Sequence, residues 1–392
     1  MSNLAKESAM NRINALLDEN SFVEIGGLVT ARSTDFNMQD KVAASDGVIT
    51  GYGVIDNSLV YVYSQDASIL GGTVGEMHAK KISRLYDMAV KMGAPVVALV
   101  DCAGLRLEEA ADALNAFGEV YAKQAAASGV VPQITAVFGT CGGGMGVMAS
   151  LSDFTFMAED GKLFVNAPNT LDGNRAEKCD TASAAYQAEV SGMADYTGTE
   201  DEVLAGIRQL VSVLPMNNDD FAEEQCADDL NRVCENLADC VGDTEIALEN
   251  LADAGTFFEI KKAYAKNMVT GFMKLNGITV GAVANRATVY DEEGKAEELG
   301  TALTAEGCEK AADFVNFCDA FNIPVLALVN VKGYKQSKCT ERRIAKAAGR
   351  LTYAFANADV PKVTVVIGEA YGSAYVTMNS KSIGADIVYA WP

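Results

Sequence analysis

Two glycine-rich turns hold the residues of this chain that are best suited to chemistry. In the first turn, a short apolar run at residues 134–138 breaks into Gly139 and then into Gly142-Gly143-Gly144. Glycines between a strand and a helix leave backbone amides open to a ligand, and two amides aimed at one oxygen stabilise a developing negative charge there. Taken alone, this turn is explained equally well by tight packing of a strand against a helix.

A second turn repeats the first at a constant distance along the chain. A β-branched run at residues 363–367 leads into Gly368 and then into Tyr371-Gly372-Ser373-Ala374. The repeat predicts that one strand-turn-helix unit is used twice, and it favours a ligand-binding role for both turns. The residues that recur 229 positions later are Val131, Pro132, Thr135 and Gly139, which match Val360, Pro361, Thr364 and Gly368.

Each turn follows the same succession of patterns. Paired apolar runs predict a hairpin, apolar residues at helical spacing predict a helix, and a proline then precedes a buried strand. Alternating strands and helices predict an α/β architecture. The segments are residues 49–63, 79–90 and 95–100 in the first half and 269–283, 311–318 and 324–329 in the second, with a helix at 1–17 and further strands at 153–156 and 386–389.

The join between the halves is expected between residues 214 and 250. Residues 217–250 contain eleven acids and one arginine, which is typical of a solvated linker, here with a helix at residues 229–237. We therefore predict a first domain over residues 1–235 and a second over residues 236–392.

Composition restricts the class of partner. A net charge of −22 over 392 residues argues against nucleic acid and against an anionic membrane as the main partner. The nine cysteines show no Cys-x-x-Cys spacing, so no structural metal site is predicted and a reduced, cytoplasmic setting is favoured. The N-terminus has no signal-peptide pattern, and no apolar run reaches the length of a membrane span.

The motifs together resemble the carboxyltransferase subunits of biotin-dependent acyl-CoA carboxylases of the propionyl-CoA carboxylase β type. The similar subunit of biotin-dependent acyl-CoA decarboxylases shares the resemblance, which covers nearly the whole chain. The segments that carry it are residues 16–24, 62–66, 71–79, 128–134, 139–144, 264–272, 314–324, 370–375 and 389–392.

The resemblance implies a duplicated crotonase-like (ClpP/crotonase) fold made of two tandem ββα-superhelix domains. It implies that the first domain holds an acyl-CoA and that the second holds carboxybiotin on a carrier protein, in a homodimer or a trimer of dimers. A carboxyl group then moves between biotin and the α-carbon of a short acyl thioester through an enolate. No side-chain nucleophile is required for this chemistry.

The resemblance also assigns roles to individual residues. The amides of Gly143 and Gly144 are expected to bind the enolate oxygen, and those of Ser373 and Ala374, in a turn shaped by Gly372, the ureido oxygen of biotin. His78 is expected to be structural, and a structural ion pair is an equal alternative for Arg106. The residues expected to contact CoA or biotin are Gly142, Arg106, Tyr371, Gly333 and Lys332.

The chain departs from the family pattern in four places. Residues 178–183 replace a Gly-Gly-Ala-His-type stretch, which puts the shape of the acyl-CoA pocket in question, and Ser373 replaces a glycine. Residues 330–334 replace an Asp-x-Pro-Gly-Phe turn, and residues 332–350 then carry seven Lys or Arg with Glu341 as the single acid. This basic segment predicts either a solvated helix face or a patch that meets CoA phosphates, carboxybiotin or an acidic partner. The family continues beyond residues 389–392, so the second domain is expected to be truncated.

Four functions stay open at this point. The first is the carboxyltransferase component of an acetyl- or propionyl-CoA carboxylase, working with a biotin carboxyl carrier protein and a biotin carboxylase. The second is the α-type subunit of a sodium-pumping methylmalonyl- or glutaconyl-CoA decarboxylase with membrane subunits. The others are a non-catalytic scaffold and a hydratase or isomerase that uses Glu108 or Glu109 as its base.

Overall fold

The computed structural model describes residues 2–33, 43, 45–221, 226, 228–229, 231–234, 237–240, 242–290 and 294–391. The chain forms two compact units, Met1–Ser212 and Val213–Pro392. The domain boundary predicted at residues 235 and 236 falls on residues outside those described.

The first unit is built on one sheet. Its helices are α1 Ser2–Leu16, α2 Glu76–Met92, α3 Ala110–Ala127, α4 Gly144–Ser150, α5 Asn174–Glu177, α6 Ala184–Glu189 and α7 Glu200–Val213. Its strands are β1 Val23–Ile25, β2 Val48–Ile55, β3 Ser58–Gln65, β4 Val96–Cys102, β5 Gln133–Gly142, β6 Phe154–Ala158, β7 Lys162–Phe164 and β8 Tyr196–Gly198. The sheet order is β1-β2-β3-β4-β5-β6-β8, with β7 paired to β5.

Local sequence explains why these elements form and stop. Strand β4 is almost entirely apolar and buried, as expected for a parallel strand covered on both faces. Helix α2 ends at Gly93, whose φ of 64° is the left-handed C-cap that glycine adopts without strain. The core of the first unit therefore places β4 and β5 side by side, with the first turn at the end of β5.

The second unit uses the same order of strands. Its helices are α8 Thr244–Leu251, α9 Ala305–Ala320, α10 Lys338–Glu341, α11 Ile344–Asn357 and α12 Gly372–Thr377. Its strands are β9 Phe258–Ile260, β10 Met268–Leu275, β11 Ile278–Asn285, β12 Thr288–Tyr290, β13 Ala296–Glu298, β14 Ala302–Leu303, β15 Val325–Val331, β16 Gly333–Tyr334, β17 Lys362–Ala370 and β18 Ile387–Ala390. The main sheet runs β9-β10-β11-β15-β17-β18, which repeats β1-β2-β3-β4-β5-β6 of the first unit.

The repeat extends to irregularities of the backbone. The register between β4 and β5 shifts between Val100 and Cys102, and the register between β15 and β17 shifts between Val329 and Val331, 229 positions later. Such bulges re-aim the residues that follow them at the end of a strand. The two turns are therefore reached from strands that bend in the same way.

A polar side chain fixes each turn from the neighbouring strand. The Asp101 carboxylate accepts a hydrogen bond from the Thr140 amide at 3.2 Å, and the Asn330 side chain accepts one from the Glu369 amide at 2.9 Å. A Cβ atom added to Gly139 would lie 2.0 Å from Asp101 Oδ1, and one added to Gly368 would lie 2.6 Å from Asn330 Oδ1. Glycine at these two positions is explained by this close approach.

The linker helix predicted at residues 229–237 is wrong. Residues 229 and 231–234 are not helical, and a short 3₁₀ turn, Leu237–Cys240, is the helical element found next. Arg232 pairs with Asp228 at 3.0 Å and donates to the carbonyl oxygens of Asn250 at 2.7 Å and Ala252 at 2.5 Å. These contacts hold the segment against the end of α8 in an irregular conformation. No helix in the described residues is long and apolar enough to cross a membrane.

His78, the single histidine, lies on α2 as predicted and is fully buried. Its amide donates to the Asp46 carboxylate at 2.6 Å, and its ring contacts the Asp46 carbonyl at 2.8 Å and the Gln65 amide nitrogen at 3.2 Å. Burial lowers the pKa of this imidazole from 6.5 to about 3. The ring is therefore neutral in the folded protein at any pH near neutrality.

This shift predicts a loss of stability in acid. Below pH 6.5 the unfolded chain binds a proton at His78 that the folded protein excludes, so the free energy of unfolding falls as the pH falls. Between pH 7.5 and pH 5 we expect the wild type to lose about 2 kcal/mol more than His78→Gln. Urea denaturation at the two pH values measures the difference. Equal losses in the two proteins would mean that the folded structure accepts the charged ring.

Candidate active site

The first turn joins β5 to α4 through Gly143. Its φ is 62° and its ψ is −124°, and a Cβ atom added there would meet nothing within 4 Å. The unusual backbone conformation, rather than crowding, is therefore what requires glycine. Its neighbours are crowded instead, because a Cβ on Gly142 would lie 2.8 Å from the Phe164 ring and one on Gly144 would lie 2.9 Å from the Tyr121 hydroxyl.

The amides available at this turn differ by one residue from the predicted pair. The Gly143 amide donates to the Phe164 carbonyl oxygen at 2.9 Å, so it is engaged within the protein. Gly144 and Met145 are the first two residues of α4, and their amides have no acceptor inside the helix. The amides open at the start of α4 are therefore those of Gly144 and Met145, whereas the Gly143 amide of the predicted pair is engaged with Phe164.

The first turn is also held from α3. The Tyr121 hydroxyl donates to the Gly144 carbonyl at 2.8 Å, and the ring of Tyr121 packs edge-on against Phe117. The sequence prediction missed Met145, Tyr121 and Phe164. The repeat carried a signal for Met145, since Gly144 and Met145 lie 229 positions before Ser373 and Ala374.

The second turn joins β17 to α12 through a glycine with a matching φ. Gly372 has a φ of 61°, and a Cβ there would again meet nothing within 4 Å. Ser373 has no positive φ, so its side chain brings no backbone strain. The amides of Ser373 and Ala374 belong to the first turn of α12 and lack acceptors in the helix.

Three further residues predicted near biotin lie around this turn. The Tyr371 side chain is exposed, and its amide donates to the Val331 carbonyl at 3.0 Å. Lys332 follows β15, and its ammonium group lies 3.5 Å from the Glu369 carboxylate. Gly333 has a φ of 148°, and a Cβ added there would meet nothing within 4 Å.

Arg106 lies in a buried ionic cluster. It is 1% exposed, and its guanidinium pairs with Asp46 and with Glu109, the latter at 2.9 Å. It also donates to the side-chain and carbonyl oxygens of Thr73, at 3.2 Å and 2.6 Å. Burial raises the pKa of the Asp46 carboxyl, and Arg106 opposes that shift. These contacts engage the whole guanidinium and favour the structural alternative for Arg106.

The same cluster bears on the candidate base Glu109. Its carboxylate is buried, pairs with Arg106 and accepts a hydrogen bond from the Glu76 amide at 2.6 Å. The Glu109 carboxylate is therefore turned toward Arg106 and the Glu76 amide inside the protein.

Two cysteines lie next to the first turn. Cys102 and Cys141 face each other across β4 and β5 next to the first turn, and both are buried. Burial raises the pKa of Cys102 to about 11 and that of Cys141 further, so both thiols stay protonated. No group of three or more His, Cys, Asp or Glu able to hold a metal ion occurs among the described residues.

Comparison with known proteins identifies the family. The carboxyl transferase domain family matches residues 3–392. The chain is 42% identical to the propionyl-CoA carboxylase beta chain of Roseobacter denitrificans, covering 99% of this chain and 77% of that protein. It is 39% identical to methylmalonyl-CoA decarboxylase subunit alpha of Propionigenium modestum, covering 99% and 76%.

A solved structure also matches this chain over almost its whole length. The core of a transcarboxylase 12S hexamer, with hydrolysed methylmalonyl-CoA bound, matches with a TM-score of 0.90 at 34% identity, over 98% of this chain and 75% of that one. The predicted duplicated crotonase-like fold is confirmed. The chain therefore belongs to the carboxyl transferase domain family, the carboxyltransferase components of acyl-CoA carboxylases and related decarboxylases.

Proposed function

We propose that this subunit transfers a carboxyl group between biotin on a carrier protein and the α-carbon of a short-chain acyl-CoA. The observation that carries the proposal is the pair of matched turns, Gly143 at φ 62° and Gly372 at φ 61°, each opening a helix with unpartnered amides. The reaction has two carbonyl oxygens that gain negative charge, one on the thioester and one on the ureido group. Two equivalent turns supply one donor set for each.

The first turn would serve the acyl thioester. In the carboxylation direction the ureido nitrogen that gives up the carboxyl group would take the α-proton, and the C–H electron pair would form an enolate with its negative charge on the thioester oxygen. The amides of Gly144 and Met145 hold this oxygen, and the hydrogen bond from Tyr121 fixes the peptide between Gly144 and Met145. Each such donor typically contributes about 10²–10³-fold to the rate, because it is already oriented before the charge develops.

The second turn would serve biotin, and its residues fit that group. A Cβ on Gly372 or Gly333 would meet nothing within 4 Å, so neither residue is crowded, and the amides of Ser373 and Ala374 suit the one oxygen acceptor of a ureido group. Bound biotin supplies the carboxyl group on a ureido nitrogen. The two amides draw electron density toward the ureido oxygen, and the exposed Tyr371 side chain flanks the same opening.

Acetyl- or propionyl-CoA carboxylation is our first choice of direction. The reverse reaction, decarboxylation of a methylmalonyl- or glutaconyl-type CoA ester, is the second candidate. The 39% identity to a methylmalonyl-CoA decarboxylase subunit is the reason for keeping it. The same residues serve both directions, so the partner subunits decide between them. A hydratase that uses Glu109 as its base is disfavoured, because that carboxylate is buried in an ion pair with Arg106.

The remaining assignments follow from the proposed reaction. We assign the acyl-CoA to the first domain, residues 1–235, and biotin to the second, residues 236–392. A biotin carboxyl carrier protein, together with a biotin carboxylase or membrane decarboxylase subunits, would be the partners, and the chain would act as a homodimer or a trimer of dimers. The nine free cysteines support a reduced, cytoplasmic setting.

The test is decarboxylation of malonyl-CoA and methylmalonyl-CoA with free biotin added or omitted. We expect release of acetyl-CoA or propionyl-CoA that depends on biotin, and the preferred ester identifies the acyl group. Hydration of crotonyl-CoA, measured without biotin, is the control for the hydratase alternative. Turnover of crotonyl-CoA with none of either ester would contradict the proposal.

A further inference from the structure

A row of exposed positive charges runs along one side of the second unit. Lys338, Arg342, Lys346 and Arg350 follow one another at intervals of four residues over α10 and α11, and Lys335 precedes them. Lys338 starts α10 and Arg342 is its C-cap, while Lys346 and Arg350, four residues apart on α11, are neighbours on one face of that helix. All five side chains are exposed, and together they are called the cationic stripe below.

The cationic stripe is not neutralised within the described residues. None of its five side chains forms a salt bridge there, whereas Arg343 on the same segment pairs with Glu306 and Glu309. The acids nearby are Glu341, which lies within the segment, and Asp313, which lines a groove shared with Lys346 and Arg350. The strongest net positive charge therefore lies at the end formed by Lys335, Lys338 and Arg342.

That end of the cationic stripe is linked to the C-terminal end of α12, the helix that the second turn opens. The Tyr334 hydroxyl, one residue before Lys335, is 3.0 Å from the Thr377 hydroxyl of α12. Thr352 of α11 also donates to Thr377, at 3.2 Å. The helix that opens at Gly372 is thus attached by hydrogen bonds to both ends of the segment that bears the stripe.

The arrangement of the charges indicates the kind of partner. The five charges are spread over Lys335 before α10, α10 with its C-cap Arg342, and α11, and they do not converge on one residue. A compact anion such as a phosphate needs converging donors, so dispersed charges suit an extended acidic surface. A polynucleotide is disfavoured because the chain as a whole carries a net charge of −22. Of these three kinds of partner, an acidic protein surface therefore fits the charges best.

We propose that the cationic stripe docks an acidic face of the protein that carries biotin to the second turn. This inference rests on the proposed function, since it names the surface by which the biotin carrier is recognised. The stripe attracts the carrier at a distance and leaves the amides of Ser373 and Ala374 to bind biotin itself. Such steering raises association rates by about 10–10³-fold at low ionic strength and is screened by salt.

The test uses two synthetic peptides of equal length with biotinyl-lysine at the centre, one flanked by glutamates and one by serines. With methylmalonyl-CoA or malonyl-CoA as carboxyl donor, we expect kcat/KM to be about tenfold or more higher for the acidic peptide in low salt. Lys338→Glu/Arg342→Glu should abolish that advantage and leave turnover with free biotin unchanged. The matched control is Arg84→Glu/Lys91→Glu, which reverses two exposed charges on α2 and should retain the advantage.

Failure of this inference differs from failure of the proposed function. Equal kcat/KM for the two peptides, or an advantage that survives the Lys338→Glu/Arg342→Glu change, would overturn the docking inference while biotin-dependent turnover stands. Absence of turnover with free biotin would instead count against the proposed function. In that case, fluorescence anisotropy of the labelled peptides measures docking directly. Equal binding of the acidic and neutral peptides would overturn the docking inference.

Discussion

Gly143→Ala is expected to slow biotin-dependent decarboxylation by about 10²–10³-fold. Alanine is strongly disfavoured at a φ of 62° and a ψ of −124°, so the turn must move and carry the amides of Gly144 and Met145 away from the thioester oxygen. Steady-state kcat with methylmalonyl-CoA and free biotin measures the loss. The control is Gly118→Ala on α3, where a Cβ meets nothing and the φ is not positive. An unchanged kcat in Gly143→Ala would show that the first turn does not take part in catalysis.

A second pair of variants tests which amides act. Met145→Ala and Met145→Pro both remove the buried methionine side chain, but only proline removes the amide hydrogen. Proline is tolerated in the first turn of a helix, so α4 should still form. We expect Met145→Pro to be about 10²–10³-fold slower than Met145→Ala. Equal rates would mean that Gly144 binds the thioester oxygen together with a donor other than the Met145 amide.

Arg106→Met is expected to cost about 3–5 kcal/mol of stability, because it leaves Asp46 and Glu109 buried without their cation. Urea denaturation measures the cost. The control, Lys123→Met, breaks an exposed pair with Asp87 and should cost about 0–1 kcal/mol. Adding Asp46→Asn and Glu109→Gln to Arg106→Met should recover part of the loss, since the uncompensated carboxylates are then gone.

The same variant separates the two roles considered for Arg106. A structural role predicts lost stability with little change in the KM for the acyl-CoA among molecules that remain folded. A raised KM for acyl-CoA with unchanged stability would instead show that Arg106 contacts the substrate.

The repeat of 229 residues made the fold and both turns predictable from the sequence. The repeat pairs Gly139 with Gly368. It also pairs Gly143 with Gly372, and the φ values of these two glycines agree within a degree. A shared backbone conformation leaves a trace in sequence when glycine alone can adopt it. Turns of this kind are therefore recoverable from residue types and spacing.

Contacts between residues distant in sequence were not recoverable in this way. The bond that engages the Gly143 amide comes from Phe164 in β7, a strand of three residues that the apolar pattern did not reveal. The Asp46 partner of Arg106 lies 60 positions earlier, in a segment without a marked pattern. The predicted linker helix failed for a similar reason, since the carbonyls that bind Arg232 belong to residues 18 and 20 positions later.

The location of backbone strain also decides where this enzyme can be redesigned. Each turn concentrates its unusual conformation in one glycine, and the residue that follows has an ordinary φ. At the second turn that following position already bears an exposed serine, so larger or charged side chains can be tried at residue 373 with little effect on folding. At the first turn the equivalent position, Gly144, is closed by the Tyr121 hydroxyl 2.9 Å from where a Cβ would stand. Ligand selectivity at the second turn is therefore open to engineering by single substitutions, whereas selectivity at the first turn requires changes in the surrounding walls as well.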